Sequence, residues 1–198
     1  EGYPILAIEY AHAMGNSPGT LEDYWDYNYT HEKMLGGFVW EFRSHGMEAI
    51  DGNGDKYYLH GSDFGNPYHW ANFCLDGFLT SDGTPKPTWW ELGAVSFAAY
   101  TRYVDGRLII KNTNDFKDLS YLTARYRIEA DGIAIKEEDL PLPRIKPHET
   151  YEVEIDASSG TMIRGARYFL SVLYYEGDAC VHQKQFPLGT SSKETFVP

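Results

Sequence analysis

The sequence predicts an α/β segment followed by an all-β sandwich, and three observations carry the prediction. Residues 5–42 read as strand, helix, strand, the repeating unit of a parallel sheet. Beyond Arg102 the texture changes to β-branched, alternating runs separated by turn residues. Acidity and indole are concentrated in the first half: residues 1–100 carry 4 Lys and Arg against 14 Asp and Glu and hold all 5 Trp, whereas residues 101–198 carry 13 against 15. Two domains are therefore predicted, residues 1–102 and residues 103–198.

Taken in order, Ile5-Leu6-Ala7-Ile8 opens a short strand with a buried character that ends in Glu9-Tyr10, and Gly15-Asn16-Ser17-Pro18-Gly19 follows as a loop. Thr20 with Asp23 three residues on resembles a capping box, which predicts a helix to about Met34. Gly36-Gly37 is expected to break that helix, and Phe38-Val39-Trp40-Glu41-Phe42 to form the second strand. Residues 43–87 show little periodicity and read as a loop far longer than the usual βα connection, a feature that normally carries function. Residues 89–100 fit a helix buried on a broad face. Four strands are expected after that, at residues 108–112, 122–128, 151–155 and 168–175. Turn signals at Asn114-Asp115, Asp131-Gly132, Ser159-Gly160 and Glu176-Gly177-Asp178 space them as in a sandwich.

Composition narrows the function classes. A chain of 198 residues with 42% hydrophobic and 16% aromatic residues can bury a core, which excludes a disordered or low-complexity segment. An acidic surface rich in Trp and Tyr suits neutral polyhydroxylated ligands, so nucleic acid is not an expected partner. No apolar run approaches the roughly 20 residues of a membrane span, so a soluble chain is expected. Cys74 and Cys180 lie in different halves without metal-binding spacing; two free thiols are the simplest reading, and one disulfide the alternative. Asp63-Phe64-Gly65 spells a kinase magnesium triplet but lacks the companion motifs, and His45, His60 and His69 lack zincin spacing. The chain starts without Met and enters a strand within four residues, so it reads as a piece of a longer protein.

Chemistry concentrates in the string Ile8-Glu9-Tyr10-Ala11-His12-Ala13-Met14-Gly15-Asn16-Ser17, with Glu9 at the C-terminal end of a parallel strand, where barrel enzymes display catalytic groups. This string closely resembles the nucleophile segment of the large bacterial β-galactosidases of glycoside hydrolase family 2. Gly36-Gly37-Phe38-Val39-Trp40, Gly61-Ser62-Asp63-Phe64-Gly65, Asn72-Phe73-Cys74-Leu75-Asp76-Gly77 and Thr84-Pro85-Lys86-Pro87 match the same family in the same order. The sandwich matches by position and texture alone.

The resemblance implies the last two βα units of a (β/α)8 TIM barrel, ending in the final barrel helix, followed by an immunoglobulin-like β-sandwich. It implies retaining hydrolysis of terminal β-D-galactosides such as lactose, with Glu9 as the nucleophile. His12 matches a position that contacts the hydroxymethyl end of the sugar, and Trp40 one that forms an apolar wall for the ring. Phe73, through its carbonyl, and Asp76, through its side chain, match ligands of a monovalent cation, Na+, although many relatives carry Asn at the second position and a third ligand lies upstream. The acid/base carboxyl and a Mg2+ site are also expected upstream, so the chain alone should be inactive, and Glu41 and Asp63 are expected in supporting roles only. Its partners are then a β-galactoside and the remainder of the barrel, with a second copy of the chain or the sandwich covering the open strand edges. The bacterial cytoplasm is the expected compartment, the periplasm the alternative. A β-glucuronidase or β-mannosidase is disfavoured by the Ala-His-Ala-Met-Gly-Asn loop, and the competing class is a non-catalytic carbohydrate-binding or assembly module.

Overall fold

The computed structural model describes residues 2–16, 18–157 and 163–190. Among them are eleven strands and two α-helices, divided between two compact units, residues 1–96 and 97–198. None of the described helices is long and apolar enough to cross a membrane.

In the first unit, strand β1 (Ile5–Tyr10), helix α1 (Leu21–Thr30) and strand β2 (Met34–Val39) form a parallel βαβ arrangement in which β1 pairs directly with β2. The helix ends at Thr30, four residues before the expected end, and Gly36-Gly37 lies inside β2 rather than breaking the helix. Close approach of the strands explains the glycine: a Cβ on Gly37 would stand 2.6 Å from the Ala7 carbonyl oxygen and 2.8 Å from the Ala7 Cβ. The capping box does not form either. Thr20 has φ 60° and makes no side-chain cap; the Leu21 N–H instead donates to Glu91 Oε1 at 2.8 Å, so a distant carboxylate takes up a donor at the helix N-terminus.

Residues 43–87 are more ordered than the sequence predicts. Strands β3 (Met47–Ile50) and β4 (Lys56–Leu59) form an antiparallel hairpin, and a 3-10 turn, Gly61–Phe64, follows. The chain then returns to the end of β2: Glu41 N donates to Asp76 O, Phe78 N to Glu41 O, and Leu79 N to Phe42 O. Helix α2 (Pro87–Val95) opens on a proline, where the missing N–H costs nothing. Ala11, Ala13, Leu21 and Phe78 are buried together against Val39, Trp89 and Leu92. Ile5, Leu6, Ile8, Leu35 and Phe38 are exposed in this chain, contrary to the buried character read from β1. Two parallel strands have too few neighbours to cover both faces.

The second unit begins six residues before the boundary read from composition. Residues 99 and 100, expected to end a helix, instead open strand β5 (Ala99–Val104), followed by β6 (Arg107–Asn112), β7 (Thr123–Ala130), β8 (Ile133–Leu140), β9 (Thr150–Glu154), β10 (Arg167–Glu176) and β11 (Ala179–Thr190). They make two antiparallel sheets, ordered β5-β6-β9 and β11-β10-β7-β8. Alternate residues Leu170, Val172 and Tyr174 of β10 meet Leu108 and Ile110 of β6 and Ile128 of β7 in one apolar core. Asp105-Gly106 and Asp131-Gly132 close two-residue hairpins with positive φ at both positions, as primed turns require. The Ser159-Gly160 turn signal lies outside the described residues. Cys74 and Cys180 are free thiols in different units.

Candidate active site

The end of β1 places Glu9 at the mouth of the parallel pair, with its side chain half exposed. Ala11, at φ 56°, turns the chain so that His12 Nε2 stands 3.8 Å from Glu9 Oε2. Parallel pairing continues past the strands: Trp40 N donates to Tyr10 O at 2.8 Å, and Ala13 N to Trp40 O at 3.0 Å. This brings the Trp40 indole to 6.1 Å from the His12 ring, at 26° between planes. Phe73 approaches His12 from the returning loop at 5.8 Å, and Trp40 Nε1 donates to Asp76 Oδ2 at 3.0 Å. The five residues singled out from the sequence, Glu9, His12, Trp40, Phe73 and Asp76, thus fall into one contact chain.

Behind this row lies a layer of buried charge that sequence reasoning underestimated. Glu41, next to Trp40 across a cis peptide, is 8% exposed, and Asp76 is 1% exposed. Glu41 Oε2 faces His45 Nε2 at 2.8 Å. Glu41 Oε1 and Asp76 Oδ1 are buried and take no donor from any other group. Burial first, and the Asp76 carboxyl second, push the Glu41 carboxyl up to about 7. Lys86 is the nearby cation; its Nζ donates to the carbonyls of Ala13 at 2.9 Å and Leu75 at 3.2 Å, tying the Glu9 loop to the Asp76 loop. Its pKa is lowered, burial outweighing the attraction of Asp76 and Glu41. The signal for this layer was present in Trp40-Glu41 and Pro85-Lys86-Pro87, but nothing in a one-dimensional pattern says that these charges are buried together.

Asp63 sits apart from the cluster, accepting the His60 N–H at 2.8 Å in the 3-10 turn. Among the described residues no three His, Cys, Asp or Glu side chains are grouped to hold a metal ion. A groove of about 530 Å³ between α1 and the strands, lined by Ala7, Tyr10, Tyr24, Tyr27 and Met34 among others, contains none of Glu9, His12 and Trp40.

Comparison with known proteins shows the family. Residues 1–100 match the family model for the TIM barrel domain of glycosyl hydrolases family 2, and residues 108–181 match domain 4 of beta-galactosidase. The chain is 36% identical to a beta-galactosidase of Actinobacillus pleuropneumoniae over 154 residues, 77% of this chain and 15% of the relative. It is 34% identical to one of Vibrio cholerae over 173 residues, 87% of this chain and 16% of the relative. It is 32% identical to one of Kluyveromyces lactis over 160 residues, 78% and 15%. The chain therefore spans about 15% of the length of the curated relatives it matches.

Proposed function

This chain belongs to glycosyl hydrolases family 2, and from that premise we propose that it is a segment of a retaining β-galactosidase in which Glu9 is the nucleophile. The observation that carries the reading is the position of Glu9: a half-exposed carboxylate at the end of a parallel strand, 3.8 Å from His12 and beside the Trp40 indole. In the proposed reaction the Glu9 carboxylate attacks the anomeric carbon of a β-galactoside. The glycosidic bond breaks, and its oxygen leaves with a proton from a second carboxyl supplied by the rest of the barrel. The galactosyl ester on Glu9 is then hydrolysed by a water that gives its proton to that second carboxyl, which restores both groups and retains configuration.

His12 is proposed to contact the hydroxymethyl end of the sugar. The Trp40 face would take the apolar C–H face of the ring, to which an aromatic surface is complementary. In this reading β1 and β2 are the last two barrel strands and α2 the final barrel helix, and the seven strands of the second unit form an immunoglobulin-like sandwich. Phe73 and Asp76 would hold Na+, because the orphaned Asp76 Oδ1 is the kind of oxygen that a hard cation seeks. The ion would supply a fixed positive charge beside the sugar. Mg2+ belongs to the upstream part. The 198-residue chain alone, without the second carboxyl, is expected to be inactive.

Intact-protein mass after incubation with a 2-deoxy-2-fluoro-galactosyl inactivator tests the proposal on this chain and on a longer polypeptide with the complete barrel. One label on the long form, at Glu9, is expected, with none on the short form. A label elsewhere on the long form, or no label, would overturn the assignment.

A further inference from the structure

We propose that Asp76 is a positioning residue whose carboxylate fixes the Trp40 indole and, through it, the orientation of His12 beside Glu9. The inference rests on the reading of Glu9, His12 and Trp40 given above and assigns a separate task to the residue behind them.

Trp40 lies just beyond the last residue of β2; its N–H and carbonyl still pair with Tyr10 and Ala13, which fixes its backbone but leaves the turn of the ring about its side-chain bonds free. An indole offers a single polar anchor, its Nε1–H. That donor goes to Asp76 Oδ2 at 3.0 Å, so rotation of the ring breaks a hydrogen bond to an acceptor that is itself buried, Asp76 being 1% exposed. Asp76 is itself held in place: its carbonyl accepts the Glu41 N–H at 2.9 Å, and the neighbouring Gly77 N–H donates to the buried Ser44 Oγ at 3.1 Å. On its other side the indole stands 6.1 Å from His12 in near-parallel stacking, and His12 Nε2 stands 3.8 Å from Glu9 Oε2. Orientation passes along the row Asp76, Trp40, His12, Glu9 by one hydrogen bond, one ring stack and one polar contact. An oxygen committed to the indole is not available to a cation, so Asp76 Oδ2 acts whether or not Oδ1 carries one.

Fluorine NMR and kinetics test this together. In the 198-residue chain labelled with 5-fluorotryptophan, W40F identifies the Trp40 resonance among the 5 indoles. Asp76→Ala is expected to move that resonance toward the position of the exposed Trp70, 87% accessible. Asp76→Asn, whose amide oxygen can still accept from the indole, is expected to leave it nearly in place. In the complete-barrel polypeptide, D76A should raise KM for an aryl β-galactoside about 10-fold, the scale of a lost hydrogen bond to a charged group, with a smaller change in kcat. D76N should recover most of that loss, and in a W40F background D76A should add less than about 2-fold.

If D76A does not fold, Asp76→Ser, too short to reach the indole, takes its place. A Trp40 resonance unmoved by D76A, or a D76A penalty that persists in W40F and varies with sodium concentration, would overturn the proposal. Absence of galactosidase activity in the unmutated long polypeptide would instead sink the function assignment and leave the fluorine result standing.

Discussion

Replacing Glu41 by Gln should remove a pH-dependent weakness from the first unit. Glu41 is 8% exposed, and its carboxyl is held at about 7 rather than 4.5 by burial and by Asp76, with Lys86 opposing. A raised pKa means that the fold favours the protonated form. The stabilisation is therefore complete below the unfolded value near 4.5, declines as pH rises from there to about 7, and is gone above it. A shift of that size, at about 1.4 kcal/mol per pH unit, corresponds to about 3.5 kcal/mol at most. Gln keeps the shape and can donate to Asp76 without carrying charge. Urea unfolding followed by Trp fluorescence reads this unit, because all 5 Trp lie in residues 1–100. Between pH 4.5 and pH 8 the stability of E41Q relative to the unmutated chain should rise by about 2 to 3 kcal/mol. A His45→Gln control should keep the pH dependence, since His45 meets Glu41 at 2.8 Å from an exposed position. A difference between E41Q and the unmutated chain that stays flat within about 0.5 kcal/mol over this range would refute the account of a protonated, buried Glu41.

Two further substitutions test the packing that positions the site and the sandwich. Gly77→Ala would place a Cβ 2.1 Å from Ser44 N and 2.4 Å from the Arg43 carbonyl carbon, both backbone atoms. The return of the loop to β2 must open, at a cost of about 3 kcal/mol in the same fluorescence assay, and a loss below about 1 kcal/mol would mean that the crossing can relax. Asn112, fully buried, donates to Lys117 O and Ile145 O and accepts from Asn114 N. Asn112→Ala strands all three groups and should lower the stability of the second unit by about 3 kcal/mol, read from far-UV circular dichroism melts; an unchanged melting temperature would contradict it.

The residues of the candidate site were legible in the sequence because they lie in contiguous strings. Glu9 and His12 lie three residues apart, Trp40 closes Gly36-Gly37-Phe38-Val39-Trp40, and Phe73 and Asp76 share one short segment. Strands β6, β7, β9 and β10 were legible because each alternates between core and solvent or runs on β-branched residues. Strands β5, β8 and β11 were not, and all three are sheet edges, as is β9, whose alternation nonetheless showed it. An edge tolerates charge and proline, as in Lys136-Glu137-Glu138-Asp139 of β8 and Pro187 of β11, so the pattern that marks a central strand is absent there.

What the sequence determined by itself was the division into an α/β and an all-β part and the identity of the residues gathered at the end of β1. What only the tertiary structure decided was how distant groups meet. Gly37 belongs to a strand because β1 comes too close for a Cβ, and Glu91 takes the place of the Thr20 cap because α2 brings its carboxylate to Leu21. Glu41, read as a supporting residue, and Asp76, read as a cation ligand, become a buried pair behind Trp40 because the long loop folds back on the end of β2. Burial is a property of the assembled neighbours, and a charge alters its chemistry when water is removed, so neither could be read from residue order.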